Sequence, residues 1–258
     1  MTGPRLHPQW IVPDWPAPPK VRALITTRAG GVSTGSFGDV DGKGGMNLGL
    51  KSGEAIERVL ANRARLRAVL PAEPRWLQQV HGATVARIDD DGALDPADAA
   101  IALQPGRVCV VSIADCMPVL FADREARAVG VAHAGWRGLA AGILQETAAA
   151  MRARLGDADR ELLAYLGPAI GPQHFEVGPE VLSAMTERLP RAAEAFRPSG
   201  RHKYLCDLFV LARQALAQVA VTRVYGGAHC TYGDATRFYS YRRDKVTGRH
   251  AALIWIEG

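Results

Sequence analysis

Arg107-Val108-Cys109-Val110-Val111-Ser112-Ile113-Ala114-Asp115-Cys116-Met117-Pro118-Val119-Leu120-Phe121 decides the fold. Its first part, Arg107–Ile113, is a nearly continuous β-branched run, the composition of a strand buried on both faces. Val119–Phe121 predicts a second strand directly after it. Ala128–Ala132 predicts a third, reached through the polar Asp123–Arg127. Connections this short cannot hold a crossover helix, so the sheet is mixed rather than purely parallel.

Working outward, Val21–Thr27 reads as a strand that runs into the Gly-rich turn Arg28-Ala29-Gly30-Gly31-Val32-Ser33. Residues 34–49 form a Gly-rich loop of the kind that carries function. Ser52 is a candidate N-cap for a helix over Glu54–Leu70, with Ile56, Val59, Leu60, Leu66, Val69 and Leu70 on one face and Pro71 as the stop. Arg75–Val80 and Thr84–Ile88 read as strands on either side of His81-Gly82, and Asp89–Asp98 as an acidic turn. Gly138–Leu155, Pro179–Leu189 and Leu208–Val219 read as helices. Leu162–Leu166, Arg223–Tyr225, Thr236–Ser240 and Ala251–Ile256 read as strands. Residues 1–20 are an irregular, Pro-rich lead-in. With no repeat and no linker after it, residues 21–258 are expected to form a single catalytic α/β domain, a mixed β-sheet core flanked by helices.

The 258 residues suffice for a full core, and the balance of apolar and charged residues is that of an ordinary globular protein. The net charge of +5 suits an anionic substrate. The arginines at 58, 63, 65 and 67 read as a solvated helix face. No basic run with interleaved aromatics appears, so nucleic acid is not expected as a partner. Nothing approaches the ~18 apolar residues of a membrane span, and no membrane association is expected. Cys109, Cys116, Cys206 and Cys230 include no Cys-x-x-Cys pair. The expectation is a cytoplasmic protein with reduced thiols.

Several function classes lose their support at once. There is no Gly-x-Ser-x-Gly elbow, His-Glu-x-x-His, P-loop or clean Gly-x-Gly-x-x-Gly. The positive signal is positional. Cys116 follows the buried run, His133 comes seventeen residues later in Val-Gly-Val-Ala-His-Ala-Gly-Trp-Arg-Gly, and His81 thirty-five residues earlier in Trp-Leu-Gln-Gln-Val-His-Gly. Each follows a strand-like stretch and borders turn-favouring residues, the placement of ligand-binding groups in open α/β sheets. One thiol and two imidazoles suit a metal with an open position or a cysteine nucleophile with its base. Asp115 adds a carboxylate able to orient a histidine. Arg137, where the helix from Gly138 begins, favours an anion. So does Arg28 beside its Gly-Gly turn, and more weakly Arg242-Arg243.

The blocks Thr26–Ser33, Asn47-Leu48-Gly49, Gln79–Gly82, Ala114–Leu120, His133–Gly138, Leu166–Pro172, Phe175–Gly178, Cys230-Thr231-Tyr232 and Ser240–Asp244 together resemble the YfiH-type family. That family is variously labelled polyphenol oxidase (laccase domain), purine nucleoside phosphorylase and peptidoglycan editing factor. The resemblance implies an α/β fold akin to the cytotoxic necrotising factor deamidases. It implies zinc held by His81, Cys116 and His133, and phosphorolysis of adenosine, inosine and methylthioadenosine with adenosine deamination beside it. Purine nucleosides and phosphate are then the expected partners. Cys116, His133 and Asp115 become catalytic candidates. Arg28, Asn47, Gln79, Arg137 and Glu176 become candidates for holding substrate or phosphate. Two rivals stand beside this: a cysteine hydrolase or amidase acting on a peptidoglycan precursor, and a copper polyphenol oxidase. Against the copper oxidase, no two of the seven histidines are one residue apart. The stretch Phe37–Gly45 is longer than the family's usual, and His250 stands where methionine is commoner.

Overall fold

The computed structural model describes residues 5–258. In chain order its elements are β1 (Val21–Ile25), β2 (Ala29–Ser33), α1 (Ile56–Arg67), β3 (Arg75–Trp76), β4 (Val85–Arg87), β5 (Ala99–Ala102), β6 (Cys109–Ile113), β7 (Met117–Asp123) and β8 (Val129–Ala134). There follow α2 (Trp136–Ala141), α3 (Ile143–Leu155), β9 (Leu162–Leu166), β10 (Glu176–Val177), α4 (Pro179–Arg188), β11 (Phe196–Pro198) and β12 (Tyr204–Cys206). The chain closes with α5 (Leu208–Gln218), β13 (Arg223–Gly226), α6 (Tyr241–Asp244) and β14 (His250–Ile256).

The expected mixed sheet is present, and it is doubled. One sheet has the order β1-β14-β6-β3 and the other β13-β9-β7-β8-β5-β4, with β10-β12-β11 as a small third. In the six-stranded sheet β13/β9 and β4/β5 are parallel and the other pairs antiparallel. Alternation along the strands explains the stacking. Cys109 and Val111 of β6 face the second sheet, meeting Leu120, Ala122, Val129 and Val131. Val110, between them, faces the opposite way onto Leu66, Met46 and Leu48. The far side of the six-stranded sheet, with Val119 and Phe121, packs on Leu144, Ala148, Val181 and Leu211 of the helices. The result is a layered α/β/β/α arrangement, and the both-faces burial expected of Arg107–Ile113 arises from it.

Two of the connections that pass from one sheet to the other matter to the site. Residues 114–116 link β6 to β7, and residues 77–84 link β3 to β4. Asp115 (φ 87) and His81 (φ 63) sit at these crossings with positive φ, uncommon for residues other than glycine.

Several expectations need correction. Arg28–Ser33 contains a strand, β2, rather than only a turn. The helix from Gly138 breaks at Gly142 (φ 91), where any Cβ would stand 2.0 Å from the Arg188 guanidinium. Ser52 does not cap α1, because its hydroxyl accepts from Asn47, and the helix starts at Ile56 after Ala55. Ile56 and Leu60 point outward. Arg63 is no solvated arginine: it lies 3.7 Å over the Trp76 ring and donates to Leu48 O. Thr236–Ser240 is not a strand. Asp234 accepts from the Thr236 hydroxyl and the Arg237 N–H, and this local bonding curls the segment while burying Phe238 and Tyr239. Ala99–Ala102, directly after the acidic turn expected over Asp89–Asp98, is a strand to which the sequence reading assigned no element, its weak alanine propensity overridden by complete burial. Among the described residues no helix is long and apolar enough to cross a membrane.

Candidate metal centre

The register of the six-stranded sheet brings the centre together. Pro118 of β7 pairs with His133 of β8, so Cys116, entering β7, and His133, leaving β8, lie at one edge. The crossing loop of residues 77–84 delivers His81 to the same edge. One ligand atom from each of the three lies within 4.8 Å of the other two. The two imidazoles meet edge to face with ring centroids 4.9 Å apart. His133 and Cys116 are largely buried and His81 is exposed, so one side of the cluster opens to solvent. Gly135 passes so near that a Cβ on it would stand 2.7 Å from the Cys116 sulfur.

Charge within the cluster follows from this packing. Burial alone would push the Cys116 thiol up. The His133 charge, hydrogen bonds from both imidazoles and the His81 charge outweigh it and hold the thiol at about 6. Burial likewise works to neutralise His133, but the Cys116 charge and the bond to Asp98 raise it to about 9. The cluster is therefore a thiolate beside an imidazolium when no metal is bound. A metal held there would displace the imidazolium proton and take the thiolate and neutral imidazoles as ligands. Two nitrogens and a sulfur around one point, with one face open, fit a tetrahedral ion that keeps a position for substrate. Zinc and copper both accept such donors.

The histidine-orienting carboxylate is not Asp115. One Asp115 oxygen accepts from the Thr231 hydroxyl and the other from the Arg242 N–H, at 2.6 Å each. Its own loop geometry turns it toward α6, so Asp115 fixes that short helix against the centre. The orienting role belongs to Asp98, whose Oδ1 lies 2.8 Å from His133 Nδ1. Asp98 closes the stretch Asp89–Asp98, expected as an acidic turn, where it is one acid among several. The only hint was an acid directly before an apolar run.

The remaining candidates divide by what their side chains are free to do. Arg137 lines the same pocket, of about 240 Å³, together with His81, Asp115, Cys116, Trp136, Phe175, Tyr241 and Arg242. Its guanidinium lies 4.4 Å over the Trp136 ring and has no hydrogen-bond acceptor among the described residues. Arg242 stacks on Phe175 and donates to Glu176 O. Neither arginine is paired with a carboxylate among the described residues. Glu176 takes part through its backbone, while its carboxylate accepts from Ser199. Three expected binders have their polar atoms engaged within the fold. Asn47 is fully buried, its amide spent on Ser52, Glu54, Gly49 and Arg249. Gln79 exchanges both hydrogen bonds with the backbone of Ser112, pinning the His81 loop to β6. Arg28 clasps Gly38 O and Ala235 O across the Gly-rich loop, over Tyr239, and does not line the pocket. A larger hollow of about 510 Å³ lies beside Ala149, Gly156 and Val219. Its one arginine, Arg152, is committed to backbone carbonyls, so it offers no chemistry.

Fold and site together define a layered α/β protein with a His₂Cys centre at a sheet crossing. The chain belongs to the family described as multi-copper polyphenol oxidoreductase laccase, which matches residues 22–257. It is 47% identical over 249 residues to a Pseudomonas aeruginosa protein named purine nucleoside phosphorylase, covering 96% of this chain and 98% of that one. The purine nucleoside phosphorylase YfiH of Escherichia coli is also 47% identical over 249 residues, covering 95% and 98%. Among solved structures, a Neisseria meningitidis protein superposes with a TM-score of 0.87 at 44% identity, covering 97% of this chain and all of that one. YlmD of Geobacillus stearothermophilus superposes with a TM-score of 0.84 at 31% identity, covering 93% of each.

Proposed function

We propose that this chain is a metal-dependent purine nucleoside phosphorylase. The observation that carries the reading is convergence on one pocket. Two of the three candidate metal ligands, His81 and Cys116, two guanidiniums without carboxylate partners and three aromatic rings line it, with His133 against that ligand pair, in a chain whose relatives bear that name.

In phosphorolysis a phosphate oxygen bonds to ribose C1′ as the bond from C1′ to the purine nitrogen breaks. The electron pair leaves with the purine, which takes up a proton, and ribose 1-phosphate remains. Arg137 and Arg242 hold the phosphate, because a guanidinium presents paired N–H donors to its oxygens. Each is already parked on an aromatic ring, so little freedom is lost on binding. Trp136, Phe175 and Tyr241 give the purine faces on which to stack. Asp115 keeps Arg242 and Tyr241 in register through its bond to the α6 backbone. Zinc held by His81, Cys116 and His133 would supply a Lewis acid to polarise an oxygen or a water molecule brought into the pocket. The substrates are adenosine, inosine and methylthioadenosine. Deamination of adenosine in the same pocket exchanges its amino group for a water oxygen and releases ammonia.

The test supplies zinc-loaded protein with inosine and inorganic phosphate. Equal amounts of hypoxanthine and ribose 1-phosphate are expected, and none without phosphate. Hypoxanthine release that ignores phosphate contradicts the reading.

A second reading rests on the low-lying Cys116 thiol beside a charged His133: a cysteine amidase acting on a peptidoglycan precursor. Iodoacetamide labelling of Cys116 in zinc-saturated protein favours it, and protection opposes it. Copper oxidation of phenols has less behind it. A multi-copper cluster requires several ligand groups, and His81, Cys116 and His133 are the one such group of three among the described residues. Oxygen uptake by copper-loaded protein tests that remainder.

A further inference from the structure

Asp98 sits at the entrance to β5, fully buried, and belongs to neither ligand loop. Its carboxylate nonetheless accepts three N–H groups from the loop that carries His81 and one from the His133 ring on β8. Oδ1 takes the His81 backbone N–H at 2.9 Å and meets His133 Nδ1 at 2.8 Å. Oδ2 takes the N–H groups of Val80 at 3.0 Å and Gly82 at 2.8 Å, one on each side of His81. Its backbone joins in, since Asp98 O accepts the His133 N–H at 2.7 Å.

We infer that Asp98 is the positioning residue that sets His81 and His133 as one unit and so determines the affinity of the centre for metal. The inference rests on the metal reading of the site and not on the substrate. A single oxygen, Oδ1, links the backbone of one ligand to the ring of the other, which fixes their separation. The bracket on Val80 and Gly82 holds His81 in its positive-φ backbone, a conformation few side chains adopt unassisted. A carboxylate only accepts hydrogen bonds, so His133 must carry its proton on Nδ1 and present Nε2 to the metal. Asparagine copies the shape but turns one head into a donor. It cannot accept at both ends, and at least one partner is lost.

The test compares the parent with Asp98→Asn, using zinc and then cobalt as probes. The variant keeps the near-ultraviolet circular dichroism of the folded parent. Its zinc dissociation constant rises roughly 10–100-fold, and the thiolate-to-cobalt band is altered. A purely structural role would lower the unfolding temperature and leave both metal readouts unchanged. A folded variant that binds zinc within about twofold of the parent, with an unchanged cobalt spectrum, overturns the inference. Histidine nitrogen NMR of the zinc-loaded parent tests it without a mutation. Metal on His133 Nε2 with a proton on Nδ1 is expected, and metal on Nδ1 overturns it. A parent that binds no zinc defeats the metal reading itself, a separate outcome.

Discussion

Gly135 and Cys116 are in such close contact that a Cβ on the glycine would stand 2.7 Å from the sulfur. The glycine backbone is extended, with φ −74 and ψ 169, a conformation alanine adopts without strain. Gly135→Ala therefore changes contact alone. The added methyl drives the sulfur away from the two imidazoles. Zinc affinity is expected to fall at least roughly tenfold, as for other sites whose ligands are displaced by small distances. The unfolding temperature of metal-free protein should change little. Isothermal titration with zinc and thermal denaturation check the two halves.

Arg137 and Arg242 should act on phosphate more than on nucleoside. Each substitution to alanine removes charge-assisted hydrogen bonds worth about 1.5–3 kcal/mol. The KM for phosphate is expected to rise about 10-fold or more for each. The KM for inosine should move less, more for Arg242→Ala because Phe175 loses its stacked partner. Initial rates over a grid of both substrates measure this.

In metal-free protein the Cys116–His133 pair predicts a pH window. The Cys116 pKa is lowered to about 6 from 9.0, so its stabilisation is complete above 9.0 and is lost as pH falls through about 6. The His133 pKa is raised from 6.5 to about 9, so its stabilisation is complete below 6.5 and is lost as pH rises through about 9. Both describe one ion pair, present between about 6 and about 9. Thiolate ultraviolet absorbance should appear with a midpoint near 6, vanish in Cys116→Ala and not titrate when zinc is bound.

His250 predicts acid sensitivity elsewhere. It is wholly buried, its Nε2 accepts the Tyr239 N–H, and its Nδ1 has no partner. Burial lowers its pKa from 6.5 to about 3. Below 6.5 the unfolded chain binds a proton that the folded chain refuses, so stability falls as pH drops toward 3. From neutrality to pH 5 the loss is about 2 kcal/mol. His250→Met should flatten that slope in urea melts at a series of pH values.

How much of this could be read from the chain varies with the physics. Cys116, His81 and His133 were visible because strand ends beside turn residues place side chains at a sheet edge whatever the topology. The doubled sheet was half visible: Arg107–Ile113 is apolar on both faces, but a second sheet and a helix layer cover a strand equally well. Asp98 was hidden because its partners are backbone amides, which leave no mark in sequence. Asn47 and Gln79 misled for the same reason. Asn47 ties its own loop to the Arg249 backbone and Gln79 bonds the Ser112 backbone, and the motif blocks that contain them record a need for folding as readily as one for binding. Arg137 and Arg28 read alike in sequence, since only contact with Gly38 and Ala235 shows that Arg28 is already occupied.

The dependence of phosphorolysis on one metal centre of His81, Cys116 and His133 can be measured. It is tested most directly by metal analysis of parent and Cys116→Ala, paired with ribose 1-phosphate production from inosine and phosphate by the same samples. One zinc per chain and phosphorolysis are expected in the parent, with both lost together in the variant. A folded Cys116→Ala protein that lacks zinc yet retains full phosphorolysis would contradict it.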